Sequence, residues 1–354
     1  MTSDREERTS GSEAFVRPEG VAADAILRVF RVPPEAEGMR CDMFVKSQLR
    51  NTSRTRARSI VENSAYSPSG RRLRPSERLK GESRVLLWRP AFDEQTAPLS
   101  LETLYEDDHL LVVDKPALMT VHPTARHHHH TVIKRLEVMR PGEFLTLIHR
   151  LDRETSGALM VARSPEADRA FKRVLEDRSV FMSKSVDGAT QRPSRVPVVE
   201  KIYLAITRGT PRDGIISAPL EPDTNNPLRV KMRVSTTELG QSALTGVKVM
   251  DERADYSLVE CTLFTGRQHQ IRVHLAHVGC PIVGDKLYGP DERLLARAAD
   301  DCLSESDLEL LELPRHALHA HRYGLVHPLT GKPLNLVSPL PADLRHFWES
   351  AKGR

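Results

Sequence analysis

The sequence predicts an α+β chain in two parts, a small basic α/β module followed by a larger α+β domain. Three observations lead there. Its 354 residues exceed the span of one domain at about 100–200 residues each. The hydrophobic share of 39% and charged share of 28% are those of ordinary globular proteins, which argues against disorder throughout or a fibrous repeat. Beyond residue 100, strand-like and helix-like segments mix without the regular βα alternation of a doubly wound parallel sheet. No run approaches the roughly 18 apolar residues of a membrane span, the longest being residues 110–113 and 157–162, so a membrane protein is excluded. Residues 1–20 carry Asp4, Glu6, Glu7 and Glu13 and no apolar stretch, unlike a secretory signal; a cytoplasmic protein is expected. Cys41, Cys261, Cys280 and Cys302 are too widely spaced for a zinc ribbon or a disulfide framework and read as idle thiols.

Taken in order, residues 1–25 are polar and aperiodic, a disordered tail with no expected function. Residues 39–90 hold 13 Lys and Arg against 4 Asp and Glu, a net of +9 in a chain whose total is +4. Such a local excess attracts a polyanion, with nucleic acid the usual partner. Within it, Cys41, Phe44, Val45 and Leu49 recur at helical spacing, and Ser53 offers an N-cap for a second short helix through Ile60 and Val61. Ser67, Pro68, Ser69 and Gly70 read as a turn, and residues 84–88 as a strand. The expected module runs from 38 to 90.

In the second part, 100–354, residues 110–114 and 158–163 read as buried strands. Ser164-Pro165, an N-cap followed by an N1 proline, opens a helix with Ala167, Ala170, Phe171, Val174 and Leu175 on one face. Residues 179–197 read as an inserted loop. Residues 291–312, with eight acidic and two basic residues, read as a pair of surface helices that would not face nucleic acid.

Two segments carry chemistry. In residues 147–157, Asp152 follows a β-like run and precedes Thr155-Ser156-Gly157, so it is either an exposed, positioned acid or a simple turn cap beside Arg150 and Arg153. Residues 265–274 have the composition of an anion-facing helix start, with Arg267 in the first turn. Ile271, Leu275 and Val278 are expected to face inward, and Gly279 to end the helix. His127 to His130 are consecutive and do not converge as spaced metal ligands do. His269, His274, His316 and His319 are expected to orient neighbouring groups, so no metal site is expected.

The basic module resembles the S4 RNA-binding domain through Arg40-Cys41-Asp42-Met43-Phe44, Ser53-Arg54-Thr55-Arg56-Ala57 and residues 75–82. It departs at residues 65–70, where a V-x-V-N-G strand is usual. The resemblance implies that Arg54, Arg56, Arg58, Arg71, Arg72 and Arg74 grip phosphates. From about residue 104 onward the chain resembles the RluA-type pseudouridine synthases. The shared motifs are His149-Arg150-Leu151-Asp152 with Thr155-Ser156-Gly157, residues 201–205, 266–274 and 314–320, with Asp114-Lys115-Pro116 and Gly284-Asp285 as flanking signatures. This resemblance implies a mixed, largely antiparallel sheet and isomerisation of uridine to pseudouridine in structured RNA, with ribosomal RNA favoured over tRNA and no cofactor, and a monomer is expected. Asp152 would be the catalytic carboxylate and Arg267 its cationic partner. Tyr203 would sit against the uracil and assist the final C5 deprotonation, and Ile271 would contact the substrate. Arg150 would fill the gap left by the flipped nucleotide. A catalytically idle RNA-binding factor and a nucleoside hydrolase are the rival expectations.

Overall fold

The computed structural model describes residues 15, 17–22, 25–49, 52–89, 100–123, 130–186, 199–226, 230–237, 240–299 and 302–351. They belong to two compact units, Met1–Glu94 and Gln95–Arg354. Most of the expected tail and all of 127–129 lie outside the described residues.

In the first unit, β1 (Ile26–Arg31), α1 (Cys41–Gln48), α2 (Arg54–Ser64), β2 (Ala65–Tyr66) and β3 (Arg84–Arg89) follow in order, with an antiparallel sheet ordered β1-β3-β2. Cys41, Phe44 and Val45 of α1 and Ala57 and Val61 of α2 are buried in one core with Val85 and Leu87. The Ser53 hydroxyl accepts from the Arg56 N–H at 3.2 Å and caps α2 as expected. The turn at 67–70 is present, closed by Gly70 N–H donating to the Ser67 carbonyl. Sequence reading missed β1, so the unit's first strand begins at Ile26 and not at 38. Only Phe30 of this strand is buried, and its hold on β3 comes from backbone pairing, which leaves little hydrophobic period to read.

The second unit opens with β4 (Glu102–Glu106), β5 (Leu110–Lys115), α3 (Val132–Met139), β6 (Thr146–Leu147) and β7 (Ser156–Ala162). Then come α4 (Pro165–Val186), β8 (Glu200–Arg208), β9 (Gly214–Ser217) and a hairpin of β10 (Leu220–Pro222) and β11 (Met232–Val234). The chain continues through β12 (Leu244–Arg253), β13 (Tyr256–Leu263), α5 (Gln270–His277), α6 (Leu294–Ala299) and α7 (Glu305–Leu311). It closes with β14 (Leu318–Val326), β15 (Pro333–Val337) and α8 (Ala342–Ser350). Among the described residues ten strands form one sheet along β4-β5-β7-β14-β8-β13-β12-β9, with β15 on β14 and β6 on β7. Every pairing is antiparallel except β7 with β14, the mixed, largely antiparallel sheet the resemblance implied. Among the described residues no helix is long and apolar enough to cross a membrane.

The parallel contact of β7 with β14 depends on Gly157. Its φ is +112°, and a Cβ there would meet the Ala320 carbonyl oxygen at 2.3 Å, so a side chain is excluded by conformation and by space. This fixes the strand directly after the Asp152 segment. Helix α4 starts at the expected cap, with the Ser164 hydroxyl accepting from Ala167 N–H, but it runs to Val186. The expected loop is therefore corrected over 179–186: no Gly or Pro interrupts the chain between Pro165 and Gly188, so nothing stops the helix. Residues 187–198 lie outside the described residues. The acidic helices α6 and α7 fall where expected, α7 carrying a capping box from Ser304 and Asp307.

Candidate active site

Asp152 opens a tight turn between β6 and β7, closed by Thr155 N–H donating to the Asp152 carbonyl at 3.2 Å. The next two carbonyls are tied as well. Buried Lys115 donates from Nζ to Arg153 O at 3.1 Å, and to Pro116 O and Met119 O. Arg315 donates from Nη1 to Glu154 O while Nε and Nη2 hold Asp343 of α8 at 2.6 and 3.0 Å. The Glu154 carboxylate accepts from Lys286 Nζ at 2.7 Å and from His316 N–H at 3.1 Å. Against burial, the His316 side chain and the Lys286 ammonium hold it down to about 2. The carbonyls of Asp152, Arg153 and Glu154 thus each have a donor, which fixes the backbone that carries Asp152.

The cation on Asp152 comes from α5. Arg272 donates from Nη1 to Asp152 Oδ2 at 3.0 Å, while Nε and Nη2 grip Asp285 at 2.6 and 2.8 Å. Asp285 is fully buried and also accepts from Leu287 and Tyr288 N–H. The guanidinium is therefore aimed from behind by one carboxylate at another. Burial pushes the Asp152 carboxyl up, but the Arg272 charge outweighs it and leaves Asp152 below its ordinary value, ionised at neutral pH. Asp152 keeps a side-chain exposure of 32%, enough for a ligand to reach it.

This geometry corrects the expectation that Arg267 pairs with Asp152. Arg267 donates from Nε to the Ser242 carbonyl at 3.1 Å, and its N–H goes to Gln270 Oε1. It precedes the helix, whose N-cap is His269. The reason is Gln270: its Oε1 accepts from Thr265 Oγ1 and Arg267 N–H while its Nε2 donates to Leu244 O and Thr245 Oγ1, so residues 265–269 fold as a riveted loop. Helix phase then turns Arg272 toward Asp152. Ile271 and Leu275 are buried as expected, Val278 is exposed, and Gly279 ends the helix at φ +80°.

Asp152, Arg150, Tyr203, Arg267, Ile271 and Arg272 line one cavity of about 1050 Å³. Tyr203 projects from β8, its hydroxyl 3.0 Å from that of Tyr323 on β14. Burial pushes its phenol up to about 12. Arg150 is exposed. Arg54, Arg56 and Arg58 belong to the first unit and are exposed along α2, Arg58 paired with Glu62. Of the other basic residues implied there, Arg71 pairs with Glu77 and Arg72 lies over Tyr66. The histidines orient neighbours: His274 bridges Thr245 Oγ1 and Ala218 O, His319 bridges Ser156 Oγ and Ser338 O, and His316 meets Thr155 Oγ1. Among the described residues, no three His, Cys, Asp or Glu side chains are grouped to hold a metal.

Sequence reasoning missed Arg272 as the partner and the supports Lys115, Glu154 and Asp285. The usable signal was Arg272 itself, a charge between Ile271 and Val273 in a helix turn otherwise buried, since an arginine in such a place needs a carboxylate.

The family model for RNA pseudouridylate synthase matches residues 109–277. Ribosomal large subunit pseudouridine synthase D of Xanthomonas campestris pv. campestris is 32% identical over 338 residues, 93% of this chain and 94% of that protein. The protein of the same name from Pseudomonas aeruginosa is 33% identical over 91% of this chain and 94% of its own length. Among solved structures, Human RNA Pseudouridylate Synthase Domain Containing 4 aligns with a TM-score of 0.50 and 25% identity, covering 70% of this chain and 92% of its own.

Proposed function

Because the chain belongs to the RNA pseudouridylate synthase family and isomerises uridine to pseudouridine in RNA, we propose that Asp152 carries that reaction and that its substrate is ribosomal RNA of the large subunit. The ionised Asp152 carboxylate, held by Arg272 inside an open cavity, is the observation that carries the proposal. The reaction breaks the N1–C1′ bond, turns the uracil and rejoins it through C5, with no net redox change. A carboxylate serves it by attacking C1′, by adding to C6, or by assisting proton removal at C2′. All three need the charged form, which Arg272 favours.

The target base is hidden in stacked RNA, so the nucleotide is flipped out at a cost of about a few kcal/mol. Arg150, exposed and lining the cavity, fills the gap it leaves. Tyr203 packs against the uracil and excludes water. A phenol that keeps its proton up to about 12 suits contact with the ring better than service as a resident base. The amino-terminal unit acts as an S4-like grip on the RNA backbone through the α2 arginines. The relatives named for the large ribosomal subunit support that choice of substrate.

The test is to map pseudouridines in cellular RNA with and without the protein. A large-subunit position that loses pseudouridine, and regains it with the wild-type chain but not with Asp152→Asn, is the expected result. A change confined to tRNA would overturn the substrate, and full restoration by Asp152→Asn would overturn the residue.

A further inference from the structure

Among the described residues, the closest cationic or imidazole contacts of the Asp152 carboxylate both fall on Oδ2. Arg272 Nη1 lies 3.0 Å and His269 Nε2 3.9 Å from Oδ2. His269 is held in an uncommon way, with left-handed φ 56° and ψ 15°, a conformation that a non-glycine residue keeps only where its surroundings enforce it. It is the N-cap of α5 yet makes no side-chain cap. Its ring turns instead to Tyr288, with Nδ1 2.9 Å from the phenol oxygen.

The direction of that bond follows from the next one. Tyr288 Oη accepts from the backbone N–H of Met232 at 2.8 Å. A backbone N–H only donates, and a phenol has a single proton to give. Burial raises the Tyr288 pKa above its ordinary value, so that proton stays. Met232 takes one acceptor site, so the arrangement that leaves no phenol proton unpaired has Tyr288 donating to His269 Nδ1. Burial lowers His269 to about 4, so the ring is neutral and carries one proton. If Nδ1 accepts, that proton is on Nε2, the atom facing Asp152. Met232 begins β11, and the β10–β11 hairpin packs with Tyr288 on a small apolar group of Leu220, Ala243 and Val273. The same Tyr288 ring lies under the Arg272 guanidinium, 5.0 Å from its centroid.

We propose that Tyr288 and His269 are positioning residues: a directed chain from the Met232 N–H through the Tyr288 hydroxyl fixes His269 as the Nε2–H tautomer. With Arg272, this ring occupies the Oδ2 side of Asp152 and leaves Oδ1 as the oxygen that reacts. The proposal rests on Asp152 being the catalytic carboxylate, but its first readout does not.

That readout is nitrogen-15 NMR of the histidine rings in the full-length protein, His269 being assigned by its absence in His269→Gln. The expected spectrum shows a protonated Nε2 and an acceptor Nδ1, with Tyr288→Phe mixing the two tautomers. A wild-type ring protonated on Nδ1, or a tautomer untouched by Tyr288→Phe, would overturn the chain whatever Asp152 does. Kinetics supply the second arm. Tyr288→Phe should slow single-turnover isomerisation about tenfold with RNA affinity unchanged. His269→Gln, which keeps an N–H donor, should retain more of the rate than His269→Leu. Equal rates for wild type and His269→Leu would refute the positioning role.

Discussion

The arginines of the two units differ in what surrounds them. In the amino-terminal unit Arg54, Arg56 and Arg58 stand exposed on α2, and the ion pair of Arg58 with Glu62 at the surface is of the weak, screened kind. In the second unit Arg272 is only 8% exposed and is bound by two carboxylates, one of them fully buried. Exposed arginines act together through a field that salt weakens, and any one can be lost at modest cost. A buried arginine acts through fixed geometry, and its loss strands the charges it was holding. The first arrangement suits capture of a polyanion, the second the tuning of one reactive group.

Arg272 should not be replaceable. Arg272→Gln should reduce single-turnover isomerisation by about 10²-fold or more and, by leaving Asp285 buried without its cation, destabilise the fold by about 3–5 kcal/mol in denaturant unfolding. The exposed set should behave in the opposite way. Changing Arg54, Arg56 and Arg58 together to Ala should leave thermal stability and saturated turnover unchanged while flattening the slope of log affinity against log salt by about two units. An unchanged slope would mean that this face does not meet the RNA.

A smaller effect sharpens the buried side. Glu154 is held down to about 2 in the folded protein against about 4.3 unfolded, so its contribution is present above about pH 4.3 and lost as pH falls toward 2. Melting temperature followed over that range should drop less steeply for Glu154→Gln than for the wild type. Arg267→Ala should have the smallest effect, because its Nε bond goes to a loop carbonyl. Kinetics should show turnover within a few-fold of wild type, with any loss appearing in KM. Loss comparable to that of Arg272→Gln would restore Arg267 as the partner of Asp152.

Elements with a strong period or a cap were legible in the sequence. The core face of α4, the Ser53 cap, the buried strands β5 and β7 and the two acidic helices all fell where expected. Strand β1 did not, since one buried side chain gives no alternation to detect. The position of Asp152 was legible from its motif, but its partner was not. Two arginines five residues apart compete for that role, and the choice depends on where the helix starts, which Gln270 decides through bonds to residues 244 and 245, far away in the chain. Lys115 and Asp285 were visible as motif residues. Their tasks, holding a peptide oxygen and aiming a guanidinium, exist only once the sheet has brought them to the turn.

If one ionised carboxylate carries the reaction while the rest of the cavity serves it, removing that charge alone should abolish the chemistry. Single-turnover isomerisation by Asp152→Asn, measured beside its RNA affinity and melting temperature, tests this most directly. The amide keeps the shape and loses both nucleophilicity and basicity, so pseudouridine formation should disappear while RNA affinity stays close to wild type. A variant that still forms pseudouridine at more than about a few per cent of the wild-type rate, a barrier rise of only about 2 kcal/mol, would contradict the assignment.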